Sequence, residues 1–175
     1  VHPFFDGEPM KETSRDTGRV QVFLLNDPSD DISFELDLVS GKKFAKAPLC
    51  EQKDVWGKYD KPLGKFSFSA GIIPRALLGS GEPYPIFVFG QNETVKNSSF
   101  QYHTHEVRIV GGLNLQDCPK VNCRGGQWRN NIIPVGVFTY DEKLKDIQNI
   151  DDLSFYFDLD YFYSFIQNYK GRIKG

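Results

Sequence analysis

At 175 residues the chain is long enough to bury a real core, either as one domain or as one domain with an extension. Its 21 Lys and Arg stand against 23 Asp and Glu, a formal net charge of −2, and they are scattered. That excludes a basic stripe for nucleic acid and a polybasic membrane patch. No apolar run approaches the roughly 18 residues that a membrane-spanning helix needs. Fifteen Phe and a single Met predict a rigid, Phe-rich interior.

Period-two alternation of apolar residues dominates the chain and predicts strands. The first runs from Val20 to Leu25 and ends at the turn signal Asn26-Asp-Pro-Ser. Next, Ile32, Phe34, Leu36 and Leu38 alternate with Ser33, Glu35 and Asp37, a half-buried strand closed by Ser40-Gly41. Lys65 to Ser69, Tyr84 to Phe89, Val107 to Val110 and Val135 to Tyr140 read the same way. Pro62-Leu-Gly64, Gly79-Ser-Gly81 and Gly111-Gly112 supply turns between them. Short strands at this spacing predict an all-β fold, a two-sheet antiparallel jelly-roll sandwich. No segment before residue 140 carries helical periodicity. The organisation expected is a β-sandwich over 1–118 and a C-terminal β extension over 119–175.

That extension contains an internal echo. Asp151-Asp-Leu-Ser-Phe-Tyr-Phe-Asp-Leu159 matches Asp30-Asp-Ile-Ser-Phe-Glu-Leu-Asp-Leu38 at six of nine positions, 121 residues on. It reads either as a partial second repeat or as two alternating strands of similar composition. Aromatic residues fall on both faces of a strand drawn from Leu153 to Ile166, so that strand must be covered, and a protein partner is one candidate cover.

Two glycosylation sequons, at Asn92 and Asn97, fall in a polar loop between predicted strands, where glycans stay solvated. Cys118 and Cys123 bracket four residues and can close a small disulfide loop, leaving Cys50 unpaired; Cys50 can equally pair with either of them. The chain opens at Val1 without a signal peptide, as a processed product or a trimmed chain does. Together these features predict a secreted glycoprotein.

The order and spacing of several strands resemble a galectin-type lectin domain over roughly residues 7–117. The residues that carry the likeness are Gly18-Arg-Val-Gln-Val-Phe-Leu-Leu25, Phe34-Glu-Leu-Asp-Leu-Val-Ser-Gly41, Val55-Trp56-Gly57-Lys58, Tyr84-Pro-Ile-Phe-Val-Phe-Gly90 and Val107-Arg-Ile-Val-Gly-Gly-Leu-Asn-Leu115. The resemblance implies a non-enzymatic recognition module with a glycan or glycoprotein partner. Its ligand-binding residues would be Trp56, Lys58 and Asp60, with the indole stacking on a sugar face. The stretch from Lys42 to Cys50 lacks the family's His-x-Asn-x-Arg, so the implied lectin is a divergent one. The alternative is the same fold turned to protein–protein contact.

Two further patterns carry less. Arg108-Ile-Val-Gly-Gly112 copies the activation junction of trypsin-like zymogens, but only 63 residues follow, without a His or a Gly-Asp-Ser-Gly segment. His103 and His105 share one face of a strand, as metal ligands on a β-barrel enzyme do, yet no third ligand is committed to them. No metal or cofactor is therefore expected. The acidic residues Asp141, Glu142, Asp146, Asp151 and Asp152 lack calcium-loop spacing and read as a solvated surface.

Overall fold

The computed structural model describes residues 2–7, 18–49, 64–90, 104–117, 128–169 and 172–173. In chain order the elements are β1 (Arg19–Asn26), β2 (Ile32–Leu36), β3 (Lys43–Pro48), β4 (Ser69–Leu77), β5 (Pro83–Phe89), β6 (Thr104–Asp117) and β7 (Arg129–Phe138). Two 3-10 helices (Glu142–Leu144 and Asp151–Phe155), α1 (Leu159–Tyr169) and β8 (Arg172–Ile173) follow.

The main sheet has the order β1-β4-β5-β7-β6-β8, and an additional pairing of β1 with β6 closes five of its strands into a barrel. The β5–β7 pair is parallel and the other pairings are antiparallel. Strands stand where the alternation predicts them at β1, β2, β5, β6 and β7, but Lys65 to Phe68 is not a strand, β6 runs straight through the expected turn at Gly111-Gly112, and the two-sheet jelly roll is absent. Closure through β1 and β6 removes the open edges that a sandwich would have to protect. The β2–β3 hairpin forms a separate two-stranded sheet.

β5 shows how the sequence builds this core. Ile86 and Val88 point one way and meet Val20, Val22, Val107 and Phe138. Those partners come from strands that are not all neighbours of β5, so the cluster is the barrel interior. Phe87 and Phe89 point the other way, into a second cluster with Phe66, Phe68 and residues of α1. A strand with two buried faces reads as a continuous apolar run, and Ile-Phe-Val-Phe is one. The barrel is tight where β7 crosses β6. A Cβ on Gly136 would run into the Val107 side chain and lie 2.8 Å from the Arg108 carbonyl oxygen.

The C-terminal segment departs from expectation. Leu153 to Ile166 is not a strand but the second 3-10 helix followed by α1. Leu159, Phe162, Phe165, Ile166 and Tyr169 recur at three- and four-residue spacing and share one helical face. The Phe162 ring lies 4.9 Å from those of Phe68 and Phe89. The echo of β2 does not share its conformation. Residues 32–36 form a strand, whereas 151–155 form a 3-10 helix whose approach is held by local side-chain bonds. Asp152 accepts from the Gln148 and Asn149 amides at 2.9 and 3.2 Å, and Asn149 Oδ1 accepts from the Asp152 amide. Such bonds divert a chain from the extended state. Leu153, Phe162 and Ile166, at 0% exposure, are covered by the protein's own barrel, while Phe155 and Tyr156 of the same segment are exposed.

Arg108 fastens this C-terminal layer to β6. Its guanidinium donates to the carbonyls of Ile147 at 2.6 Å and Leu144 at 3.1 Å. Asp141, by accepting from the Lys143 amide, caps the first 3-10 helix, so part of the acidic group has a structural task. Among the described residues no helix is long and apolar enough to cross a membrane.

Phe162→Ala should destabilise the fold by about 3–5 kcal/mol through the cavity it leaves. Phe155→Ala, at a side chain 81% exposed, should fall within about 0.5 kcal/mol of the parent. Denaturant titration of the two variants checks both values, and equal effects would contradict the assigned helix face.

Candidate functional site

A half-open cleft of about 230 Å³ separates the β2–β3 hairpin from the barrel wall. The hairpin is set at this distance by two devices. Asn26, at the end of β1, is 1% exposed. Its amide donates to the Ile32 carbonyl at 2.7 Å and to Asp30 at 3.1 Å, and its oxygen accepts from the Phe34 amide at 3.2 Å. Below it, Phe4 from the N-terminal segment packs with Phe23, Leu36 and Ile72. His2 holds that segment in place, with its Nε2 bonded to the Leu38 carbonyl at 3.0 Å and its Nδ1 accepting from the Phe4 and Phe5 amides.

Four elements bring polar groups to the cleft: Glu35 from β2, Glu82 from the turn before β5, Asn131 from β7 and Tyr169 from the end of α1. The strand periodicity places Glu35 on the exposed side of β2 while Leu36 is buried. Lys46 on β3 donates to Glu35 at 2.6 Å. That hydrogen bond raises the Lys46 pKa above its usual 10.5, against the opposing effect of burial, and Tyr169 and Glu82 add smaller upward contributions. Glu82 accepts from the Ser80 hydroxyl at 3.1 Å, and the Arg129 guanidinium stands 3.8 Å from it. Tyr169 is steadied by edge contact with Phe66 at 5.4 Å and by Phe165 at 5.5 Å. The result is a largely apolar cleft that also carries two carboxylates, an amide and a phenol, with the cations Lys46 and Arg129 beside the carboxylates.

Whether this set could hold a metal depends on the donors. Among the described residues no three His, Cys, Asp or Glu side chains come together as a ligand group. Two carboxylates do suit Mg²⁺, which keeps several waters and is bound through one or two carboxylates together with substrate phosphates. The cleft fits an ion that arrives with its phosphate ligand, not a dedicated cage.

The predicted ligand-binding residues Trp56, Lys58 and Asp60 lie outside the described residues, as do Asn92, Asn97, Cys50, Cys118, Cys123 and His103. His105 is described, and its Nδ1 is 2.8 Å from the Tyr140 hydroxyl. Of the groups at the cleft, only Glu35 stood out in the sequence, as a polar member of an alternating strand. Glu82 sits beside the glycine turn that was recognised. Tyr169 was hidden by reading its helix as extension.

No family model matches the chain, and no curated protein matches it by sequence. Solved structures do. The inorganic pyrophosphatase from Thermus thermophilus superposes with a TM-score of 0.68 at 16% identity, covering 100% of this chain and 88% of that one. An inorganic pyrophosphatase of Coxiella burnetii gives 0.65 at 15% identity, over 97% and 89% of the two chains. That of Helicobacter pylori gives 0.63 at 22% identity, over 96% and 88%. At such identities the likeness establishes the fold, and it replaces the galectin resemblance. Short strands with glycine turns are common to many antiparallel folds; the closed barrel with its C-terminal helix is the specific feature. The expectations of a lectin, of a glycan partner and of a protein without enzymatic activity all came from the galectin resemblance. They fall with it, since the proteins that share this fold end to end are enzymes.

The raised Lys46 pKa has a definite sign. Its stabilisation is fully present below pH 10.5 and is lost as pH rises through the higher folded value. At neutral pH this exposed pair should contribute about 0.2–1 kcal/mol. The melting-temperature gap between the parent and Glu35→Gln should therefore hold below pH 10.5 and narrow as pH rises above it; a gap that stays constant would refute the pairing.

Proposed function

We propose that the chain is a metal-assisted phosphoanhydride hydrolase working in the cleft between the β2–β3 hairpin and the barrel. The observation that carries this reading is the convergence of Glu35, Glu82, Lys46 and Tyr169 on one cleft of a fold shared along nearly the whole chain with inorganic pyrophosphatases. The metal-dependent β-barrel enzyme considered from the sequence is thus the better reading, with its centre at the cleft and not at His103 and His105.

The chemistry asks for little covalent work from the protein. Phosphoryl transfer is catalysed mainly by positioning and by neutralising charge on the phosphate oxygens. Glu35 and Glu82 would hold a divalent cation there, and it would supply that neutralisation and a more acidic water. Lys46 and Arg129 bring fixed positive charge to the mouth of the cleft. The Tyr169 hydroxyl offers a donor at the wall, fixed by its aromatic neighbours. The apolar floor restricts water and strengthens each of these interactions.

With Mg²⁺ and pyrophosphate the protein should release orthophosphate catalytically. Glu82→Gln and Glu35→Gln should each lower kcat/KM by about 100-fold, the scale found when a preorganised electrostatic group is removed. Phosphate release no faster than in buffer, with Mg²⁺ and with Mn²⁺, would rule the proposal out.

A further inference from the structure

Resting on the reading above, we infer that the cleft takes a diphosphate joined to a planar aromatic group, of the nucleoside diphosphate class, in preference to bare pyrophosphate. The walls are the reason. Leu25, Phe34, Ala70, Leu78, Pro83 and Pro85 line the cleft and are each only half-buried, so their apolar surface is open to whatever enters. The buried Ile72 and Phe87 line the same cleft, so its wall is anchored in the core.

Bare pyrophosphate gains nothing from such a wall. It is all charge and hydrogen-bond acceptors, and moving it beside apolar surface removes hydration without compensation. The polar groups do not offer an excess of positive charge either, because Lys46 is paired with Glu35 and Arg129 faces Glu82. An organic diphosphate uses both kinds of surface. Its phosphates meet the carboxylates, cations and Tyr169, and its ring meets the apolar side chains that line the same cleft. Flat proline and aromatic surfaces suit a planar base, whose stacking is tolerant of base identity. Phe34 is the aromatic member of that wall, with the Lys43 ammonium held 4.5 Å from its ring centroid. Hydrolysis there would balance simply. Water oxygen adds to the terminal phosphorus, the anhydride P–O bond breaks with its electrons leaving on the nucleoside monophosphate, and one water proton passes to solvent.

The test is titration calorimetry of the full chain with Mg²⁺, using ADP, UDP and pyrophosphate, beside a phosphate-release assay on the same three. Both nucleotides should bind at least about tenfold more tightly than pyrophosphate, the size of one stacked base. Phe34→Ala should shrink that ratio, and Leu78→Ala should do the same if the first variant does not fold. Pyrophosphate binding as tightly as the nucleotides overturns the inference, even where its hydrolysis upholds the enzyme reading. Binding of neither class overturns it as well. Preferential nucleotide binding without any phosphate release would support the inference while removing the hydrolase.

Discussion

The structure depends on one strand being buried on both sides. β5 sends Ile86 and Val88 into the barrel and Phe87 and Phe89 out of it, so neither layer can form alone without leaving a row of large side chains in water. The outer row is covered by α1, whose Phe162 stands in edge contact with rings from the strands. Burial of this kind stabilises by roughly 1.5–3 kcal/mol for each large side chain. It also fixes where α1 ends. Tyr169, at its last turn, is delivered to the cleft because Phe162 and Phe165 are anchored a few residues earlier.

The cleft is a by-product of how the remaining pieces dock on this core. The β2–β3 hairpin has too few strands to be stable by itself. It is held to the barrel through Asn26, which satisfies backbone groups on β2, and through the small cluster around Phe4, Phe23, Leu36 and Ile72. These contacts run along β2 from Ile32 to Leu36. The space left between hairpin and barrel is the cleft, lined by apolar side chains of both and by the polar Glu35, Glu82, Asn131 and Tyr169.

That mixture gives the site its chemical character. Charges meet at the mouth in compensating pairs, Lys46 with Glu35 and Arg129 near Glu82. An anion entering with a divalent cation adds no large net charge to such a place. The apolar remainder lowers the local dielectric and gives weight to each pair. Phosphoanhydride chemistry asks for this combination, and the same combination argues for a ligand with an organic part.

Local sequence determined a good deal by itself. Side chains in an extended chain alternate between faces, so β1, β2, β5, β6 and β7 could be placed from period-two patterns, with turns at Asn26-Asp-Pro and Gly79-Ser-Gly81, whereas Gly111-Gly112 is no turn but part of β6. It also put Glu35 on the open side of its strand. It failed where two periods compete. From Leu153 to Ile166 aromatics are so frequent that they satisfy alternation and helical spacing alike, and the Asp152 and Asn149 caps with the packing on Phe68 and Phe89 chose the helix. Which strands neighbour one another is not written in any strand: β1 meets β6, and β5 runs parallel to β7, only when the barrel closes. The cleft is decided at the same moment. Glu35, Glu82, Asn131 and Tyr169 are distant along the chain, and hydrophobic closure, which is indifferent to polar residues, brings them to one place.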